Sequence, residues 1–373
     1  MKITRITTQL IPPRWSLVRI ETDEGLVGYG EPTLEGHAAT ACAWIEETAP
    51  LLIGEDPTRI EHLWQILYRG GFYRGGPLQV SAISGLEQAL WDLTGKAWGR
   101  PAYQLLGGAC RDKIRVYCHA GGATPEAAAE AARRAKEAGY DCLKTGAANG
   151  PQRLIELPAT VDADVARIGA MRDAVGRDFD IAIDCHARFT PAMALRFCDA
   201  VADLSPMFVE EPIMPENIDA LARLTAKARV PIATGERLVT KYEFRDLLER
   251  CDIAVVQPDL SHAGGLAECR KIAVLAEAWY AGLAPHCPLG PVALAACLHV
   301  DAASPNFLVQ EHIADALTAP WVKNPPRVEN GYVALPEGPG LGLEIDEDVL
   351  ADLPPHNWLT PQWRLNDGAV ADW

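Results

Sequence analysis

Hydrophobic and polar positions in the first third of the chain follow first a strand pattern and then a helical one. Apolar residues alternate with polar ones over three segments: Lys2–Ile11, Ser16–Glu21 and Leu26–Glu31. Helical spacing follows in three more: Gly36–Leu52, Arg59–Tyr68 and Val80–Lys96. We therefore predict an α+β unit over residues 1–113, built from an antiparallel meander and helices.

From Ile114 the pattern changes to short apolar runs that alternate with helical segments. Eight strands are predicted: Ile114–Cys118, Cys142–Lys144, Phe179–Ile183, Met207–Val209, Pro231–Ala233, Ile253–Val256, Gly282–Ala284 and Phe307–Val309. Strict alternation of strands and helices is typical of a (β/α)-barrel. After Glu311 the sequence becomes rich in proline, so the last helix is doubtful. We predict a modified (β/α)₇β barrel of the TIM type over residues 114–330.

The tail, residues 331–373, has the pattern of loops and short strands, and we predict that it packs back on the N-terminal unit. A doubly wound open sheet would show the same alternation of strands and helices. Such a sheet usually carries GxGxxG after its first strand, where this chain has His119-Ala120-Gly121-Gly122. The motif does not match, which favours the barrel.

Composition limits the classes of partner. The chain has 373 residues and a net charge of −16, which argues against nucleic acid or an anionic lipid surface as a partner. No apolar run has the length of a membrane span, and the N-terminus lacks the apolar core of a signal peptide. The ten cysteines form no CxxC pair and are predicted to be buried and reduced. We expect a cytoplasmic enzyme that forms a homo-oligomer.

Three acids end apolar runs at equal intervals along the predicted barrel: Asp184, Glu210 and Glu236. The carboxyl ends of barrel strands converge on one mouth, so these side chains should lie close together. Three carboxylates without Cys or His favour one Mg²⁺ per subunit, with Mn²⁺ as a substitute. Glu211 is adjacent to Glu210 and should point away from the mouth.

Two histidines belong to the same rim. His186 lies two residues beyond Asp184, hence on the same side of an extended strand. His286 ends the seventh strand, and Asp259 at the end of the sixth is expected to orient its ring and raise its basicity. Two imidazoles that flank an anion form an acid/base pair for β-elimination, and either could be the base. Glu311 at the end of the eighth strand, if protonated, could donate to the intermediate.

Five other polar residues lie near this rim without an assigned role: His119, Lys144, Arg188, Arg237 and His262. Lys144 ends the second predicted strand. The other four residues either contact substrate or orient loops and ion-pair with the ligands.

Several segments resemble the enolase superfamily in its mandelate-racemase-like branch, and the resemblance covers almost the whole chain. They are PPRW (12–15), ETDEGLVGYGEP (21–32), LYRGGFYRGGP (67–77), ALWDLTGK (89–96), EEP (210–212), GER (235–237), QPDLSHAGG (257–265) and APHCPLGPVALAACLH (284–299). The Asp-x-His at 184–186, together with the His286 segment, is similar to acid-sugar dehydratases and differs from racemases and cycloisomerases.

The resemblance implies an α+β capping domain over a modified (β/α)₇β barrel. It also implies a hydro-lyase that converts a sugar acid, D-galactonate first, to a 2-keto-3-deoxy sugar acid through an enediolate. The implied Mg²⁺ ligands are Asp184, Glu210 and Glu236. By similarity, His286 with Asp259 is the base at C2, His186 is the acid that expels the C3 hydroxyl, and Glu311 stabilises the transition state.

Two segments depart from the family pattern. Racemases of this branch carry Lys-x-Lys at the second strand, whereas this chain has Lys144-Thr145-Gly146, which argues against racemisation. The segment after Glu311 also differs from galactonate dehydratases, so recognition of the distal hydroxyls stays open, with Arg14 and Tyr73 as candidates. The alternatives are a dehydratase or epimerase for a gluconate-, arabinonate- or fuconate-like acid, or a non-catalytic protein that binds a sugar acid.

Overall fold

A three-stranded antiparallel sheet and four helices form the N-terminal part of the chain in the computed structural model, which describes residues 1–373. The elements are β1 (Ile3–Ile11), β2 (Trp15–Thr22), β3 (Val27–Gly30), α1 (Ala38–Thr48), α2 (Ile60–Arg69), α3 (Pro77–Trp98) and α4 (Ala102–Leu105). The predicted meander and three predicted helices are confirmed, each within a few residues of the expected bounds.

Eight parallel strands follow, as predicted, but the eighth lies at Gln310–Glu311, just after the predicted Phe307–Val309. They are β4 (Lys113–His119), β5 (Cys142–Gly146), β6 (Asp180–Asp184), β7 (Phe208–Glu210), β8 (Ile232–Thr234), β9 (Val255–Val256), β10 (Gly282–Leu283) and β11 (Gln310–Glu311). Consecutive strands from β4 to β10 are paired. Leu283 of β10 forms a parallel bridge with Phe307, and β11 pairs with β4, which joins the two edges of the sheet into a barrel.

Helices connect the strands: α5 (Pro125–Glu137), α6 (Pro158–Val175), α7 (Pro191–Val201), α8 (Ile218–Thr225), α9 (Thr240–Arg250), α10 (Leu266–Ala278), α11 (Pro291–Ala303) and α12 (Ala314–Thr318). Thr124 caps α5, since its hydroxyl accepts the N–H of Ala127. The five-residue α12 confirms that no full helix follows Glu311. No helix combines the length and apolar character that a membrane crossing requires.

A short strand, β12 (Val328–Glu329), comes just before the tail, and the tail itself carries four short elements: β13 (Tyr332–Ala334), α13 (Glu347–Ala351), β14 (Trp363–Arg364) and β15 (Val370–Ala371). It contacts both larger parts of the molecule. β13 runs antiparallel to β4 and so extends the barrel sheet, a pairing that the sequence pattern did not predict. Further along, Leu341 donates its N–H to Asp92 of α3 over 3.0 Å, which is a contact with the N-terminal unit. The division into domains near residues 113 and 330 stays a prediction.

Helix α3 lies between the N-terminal sheet and the barrel. Its apolar face is buried as predicted, through Ile83, Leu86, Leu90 and Leu93. A second face, the α3 polar stripe (Ser81, Ser84, Glu87 and Gln88), is also buried and was not predicted. Within this stripe, the Ser84 hydroxyl accepts the N–H of Gly264 over 2.9 Å. Glu87 accepts the N–H groups of Leu266 and Ala267 over 2.7 and 2.9 Å. The stripe thus holds the β9–α10 loop and the start of α10.

We expect Glu87→Gln to lower the free energy of unfolding by about 1–3 kcal/mol, because its amide would face backbone N–H donors that now meet carboxylate oxygens. Chemical denaturation measures the change. The matched control is Glu130→Gln on α5, where the acid forms an exposed pair with Arg133 and should contribute less than about 1 kcal/mol. Equal effects of the two substitutions would show that the contact between α3 and α10 adds no stability.

Candidate active site

A cavity of about 770 Å³ lies at the carboxyl ends of the barrel strands. His186, Glu236 and His286 line it from the barrel side. Arg14 and Glu35 line it from the N-terminal unit. The cavity therefore lies where the sequence places the active site, between the barrel mouth and the domain that covers it.

The strand-end carboxylates meet around one lysine. Lys144 Nζ lies 2.7 Å from Glu311 Oε1, 2.8 Å from Glu210 Oε1 and 3.3 Å from Asp184 Oδ2. The parallel register of β6 and β7 sets Asp184 opposite Glu210, and β5 brings Lys144 alongside. None of these four residues is more than 3% exposed, so they form one buried ionic cluster.

The electrostatics of this cluster depend on Lys144. Burial and the charge of Asp184 raise the pKa of Glu210 to about 8. Burial would also raise the pKa values of Asp184 and Glu311, but the ammonium of Lys144 and the neighbouring histidines together outweigh burial and lower both. The sequence suggested no role for this lysine, although a cation at a rim of acids is a visible signal. In the structure it is the counter-ion of the cluster.

The three predicted metal ligands, Asp184, Glu210 and Glu236, lie at or just beyond the carboxyl ends of β6, β7 and β8. As the side chains lie, no three or more His, Cys, Asp or Glu residues form a group that would hold a metal ion. However, Glu210 Oε2 and Glu236 Oε2 are buried and accept no hydrogen bond. Buried polar atoms are nearly always paired, so these two oxygens lack a partner that a cation with oxygen ligands would provide. The chemistry of these oxygen donors therefore fits Mg²⁺.

His286 is held by Asp259. Its Nδ1 lies 2.8 Å from Asp259 Oδ2, while the backbone N–H of Ser261 fixes the other oxygen over 2.7 Å. Since Nδ1 donates to the carboxylate, Nε2 is the nitrogen left for chemistry, and it lies 3.4 Å from Glu236 Oε2. Burial would lower the pKa of His286, but Glu236, Glu311 and Asp259 outweigh it and raise the pKa well above its usual value.

His186 lines the same cavity, but its backbone conformation differs from the predicted one. The strand ends at Asp184, and His186 has a φ of +49°, so it does not lie on an extended strand as predicted. Such a conformation costs about 1–3 kcal/mol in a non-glycine residue. It persists because the backbone N–H of His186 donates to Asp184 Oδ1 over 2.8 Å, and Arg237 donates to the His186 carbonyl over 3.3 Å. Burial lowers the pKa of the imidazole.

Residues without an assigned role mostly hold others in place. His119 Nε2 lies 2.9 Å from Glu311 Oε1. Arg237 Nε donates to Glu211 Oε2 over 2.6 Å, and Glu211 faces away from the Lys144 cluster. Arg188 donates to the carbonyl of Ala148 over 3.2 Å.

The two candidates for distal recognition lie in different surroundings. Arg14 lines the cavity and donates to the Pro288 carbonyl over 2.7 Å, whereas Tyr73 is 83% exposed and does not line it. The sequence missed Glu35 and Trp373, which both line the cavity. Glu35 lies in the loop between β3 and α1, next to the family-like segment 21–32, whereas no local sequence pattern distinguishes Trp373.

Two family models match the chain. The model described as "Mandelate racemase / muconate lactonizing enzyme, N-terminal domain" matches residues 3–107, and the model described as "Enolase C-terminal domain-like" matches residues 126–349. D-galactonate dehydratases of Ralstonia nicotianae and Cronobacter sakazakii are each 46% identical over 385 aligned residues, with all of both chains covered.

Solved structures agree with these matches. A putative galactarate dehydratase from Agrobacterium radiobacter, with bound Na and L-malate, has a TM-score of 0.93 at 34% identity, with all of both chains covered. A putative dehydratase from Salmonella typhimurium has a TM-score of 0.91 at 34% identity, with 95% of this chain and 99% of that chain covered. The chain therefore belongs to the enolase superfamily, in its mandelate racemase/muconate lactonizing enzyme branch.

Proposed function

We propose that this protein is a Mg²⁺-dependent sugar-acid dehydratase and that its substrate is D-galactonate. The observation that carries the proposal is one cavity lined by two histidines with different supports, beside a buried cluster of carboxylates. Full-length relatives named D-galactonate dehydratase at 46% identity support this substrate.

His286 is the proposed base. Its Nε2 removes the proton from C2 of the sugar acid, and the electron pair of that bond moves into the carboxylate to give an enediolate. Asp259 keeps Nδ1 protonated and stabilises the imidazolium that forms. The raised pKa of His286 comes from its carboxylate neighbours, so neutralisation of Glu236 by a cation would lower it towards that of a usable base.

His186 is the proposed acid. The enediolate electrons return to form the C2–C3 double bond, the C3–O bond breaks, and His186 delivers a proton so that water leaves. The enol then takes up a proton at C3 and becomes the 2-keto-3-deoxy acid. Burial lowers the pKa of His186, and the negative charge of the enediolate would raise it when the proton is needed.

The proposed Mg²⁺ ligands are Asp184, Glu210 and Glu236. When bound, Mg²⁺ supplies charge stabilisation for the substrate carboxylate. Glu311 is the proposed transition-state stabiliser, but its pKa is held low, so we assign the donation to its partners. Those partners are Lys144, whose Nζ lies 2.7 Å from Glu311 Oε1, and His119, whose Nε2 lies 2.9 Å from the same oxygen.

The reverse assignment of the two histidines is the second candidate. The carboxylates Glu236, Glu311 and Asp259 raise the pKa of His286, and burial lowers that of His186, which by itself favours His186 as the base. An epimerase would need only proton removal and return at C2. The reversed assignment and the epimerase each predict a pattern of C2 proton exchange in D₂O that differs from that of the proposed mechanism.

Turnover of a panel of aldonates and aldarates with Mg²⁺ tests the reaction class. We expect a keto product from D-galactonate, detected with semicarbazide, and slower or no reaction with gluconate, arabinonate, fuconate and galactarate. Product from none of them, together with tight binding of one, would favour a non-catalytic binding protein. Exchange at C2 in D₂O without dehydration would favour an epimerase.

Substitution of each histidine tests its role. We expect His286→Asn to abolish both C2 proton exchange and dehydration, because this substitution removes the proposed base. His186→Asn should abolish dehydration and retain some C2 exchange in D₂O, followed by NMR. General acid–base groups contribute about 10²–10⁴-fold, so both losses are measurable. The opposite pattern would exchange the two roles.

Removal of Lys144 tests the cation requirement. In EDTA we expect Lys144→Met to lose about 3–5 kcal/mol of unfolding free energy, since three buried carboxylates lose their counter-ion. Added Mg²⁺ should recover part of this loss. Lys241→Met is the matched control, because Lys241 pairs with the buried Glu268 and does not line the cavity. Its stability should not respond to Mg²⁺ beyond wild type, and an equal response would contradict the metal assignment.

A further inference from the structure

His262 joins the N-terminal unit to the catalytic base without touching any proposed metal ligand. It lies in the β9–α10 loop, three residues after Asp259, and is 7% exposed. Its Nδ1 lies 2.8 Å from the hydroxyl of Ser81 on α3. Its Nε2 lies 3.4 Å from Glu35 Oε2 and 3.9 Å from Asp259 Oδ2. The imidazole therefore meets residues of the N-terminal unit at both nitrogens and faces Asp259 as well.

The hydrogen bonds of Ser81 fix the protonation of this ring. The Ser81 hydroxyl donates its only proton to the carbonyl of Pro77 over 2.6 Å, so its oxygen must accept from His262 Nδ1. Nε2 then faces two carboxylates, Glu35 and Asp259, which favours a proton there too. Burial opposes a charged ring, but Asp259 and Glu35 outweigh it and raise the pKa of His262.

Asp259 Oδ2 is thus placed between two imidazoles. It lies 2.8 Å from His286 Nδ1 on one side and 3.9 Å from His262 Nε2 on the other. Its second oxygen is fixed by the N–H of Ser261. The position and charge of this oxygen decide the orientation and basicity of His286, so a cationic ring on its far side must affect both.

We propose that His262 is a positioning residue for the His286–Asp259 pair, and that the N-terminal unit sets it through Ser81 and Glu35. This inference rests on the proposed function, in which His286 acts at C2. The covering domain then does more than close the cavity, because it fixes the group behind the base. Proton removal at C2 is therefore efficient only when α3 is seated on the barrel.

The alternative is a purely structural role, in which His262 only helps to attach the N-terminal unit to the barrel. The α3 polar stripe provides an internal control for this alternative. Ser81 and Ser84 are both completely buried, lie on the same helix and contact the same loop. Ser84 accepts the backbone N–H of Gly264, whereas Ser81 accepts from the His262 ring. Loss of either hydroxyl weakens domain attachment, but only loss of Ser81 releases the imidazole.

The experiment compares Ser81→Ala, Ser84→Ala and His262→Asn in the full-length, Mg²⁺-loaded protein. We expect kcat with D-galactonate to fall about 10- to 100-fold in Ser81→Ala and His262→Asn, with KM changed less than about twofold. The deuterium isotope effect at C2 should rise in both, because proton removal becomes slower than later steps. Ser84→Ala should keep kcat and the isotope effect within about twofold of wild type.

A second measurement does not depend on turnover. In protein labelled with ¹⁵N-histidine, the Nδ1 proton of His286 should give a downfield signal, assigned by its loss in His286→Asn. We expect this signal to shift in Ser81→Ala and His262→Asn and to stay in place in Ser84→Ala. A variant that unfolds at the temperature of the kinetic assay can still be compared by NMR at a lower temperature.

The outcomes separate the two proposals. Wild-type protein that dehydrates no sugar acid would reject the proposed function, while the NMR comparison would still decide the placement of His262 behind the base. Equal kinetic losses in Ser81→Ala and Ser84→Ala would reduce His262 to domain attachment and overturn the inference. An unmoved His286 signal in both Ser81→Ala and His262→Asn would overturn it as well.

Discussion

The buried ion cluster around Lys144 is the constraint on which the rest of the site depends. Each buried carboxylate would cost several kcal/mol if it were isolated, and removal of a single partner leaves that cost uncompensated. The barrel meets this requirement by geometry. Adjacent parallel strands deliver Lys144, Asp184 and Glu210 at neighbouring positions, and β11 brings Glu311 to the same place. The fold can therefore hold this dense set of acids because a lysine lies at its centre.

The same cluster explains how a strongly acidic protein can accept an anionic substrate. The chain carries a net charge of −16, and Glu236 adds a further acid to the cavity wall. One lysine offsets part of this charge, yet the oxygens Glu210 Oε2 and Glu236 Oε2 accept no hydrogen bond. An anion that enters this cavity meets repulsion unless a cation is bound near those oxygens. Cation binding before substrate binding is the order that the charges favour.

Much of the architecture could be predicted because a repeating fold leaves a repeating signal. The eight strands and their polar ends follow one period, so Asp184, Glu210 and Glu236 were visible as a set. The backbone conformation at individual residues could not be predicted in the same way. His186 leaves the strand in a left-handed conformation that depends on Asp184 and Arg237, which are tertiary contacts. The polar face of α3 and the pairing of β13 with β4 likewise depend on partners far along the chain.

The two proposed catalytic histidines are held by different parts of the molecule. His186 is supported within the barrel, by Asp184 and by the carbonyl contact from Arg237. His286 is supported by Asp259, behind which the N-terminal unit places His262. A movement of the covering domain would therefore disturb His286, the proposed base at C2, and leave His186, the proposed acid at C3, in place. Because the first step creates the reactive enediolate, control of the base alone is enough to keep that step from occurring in an open cavity.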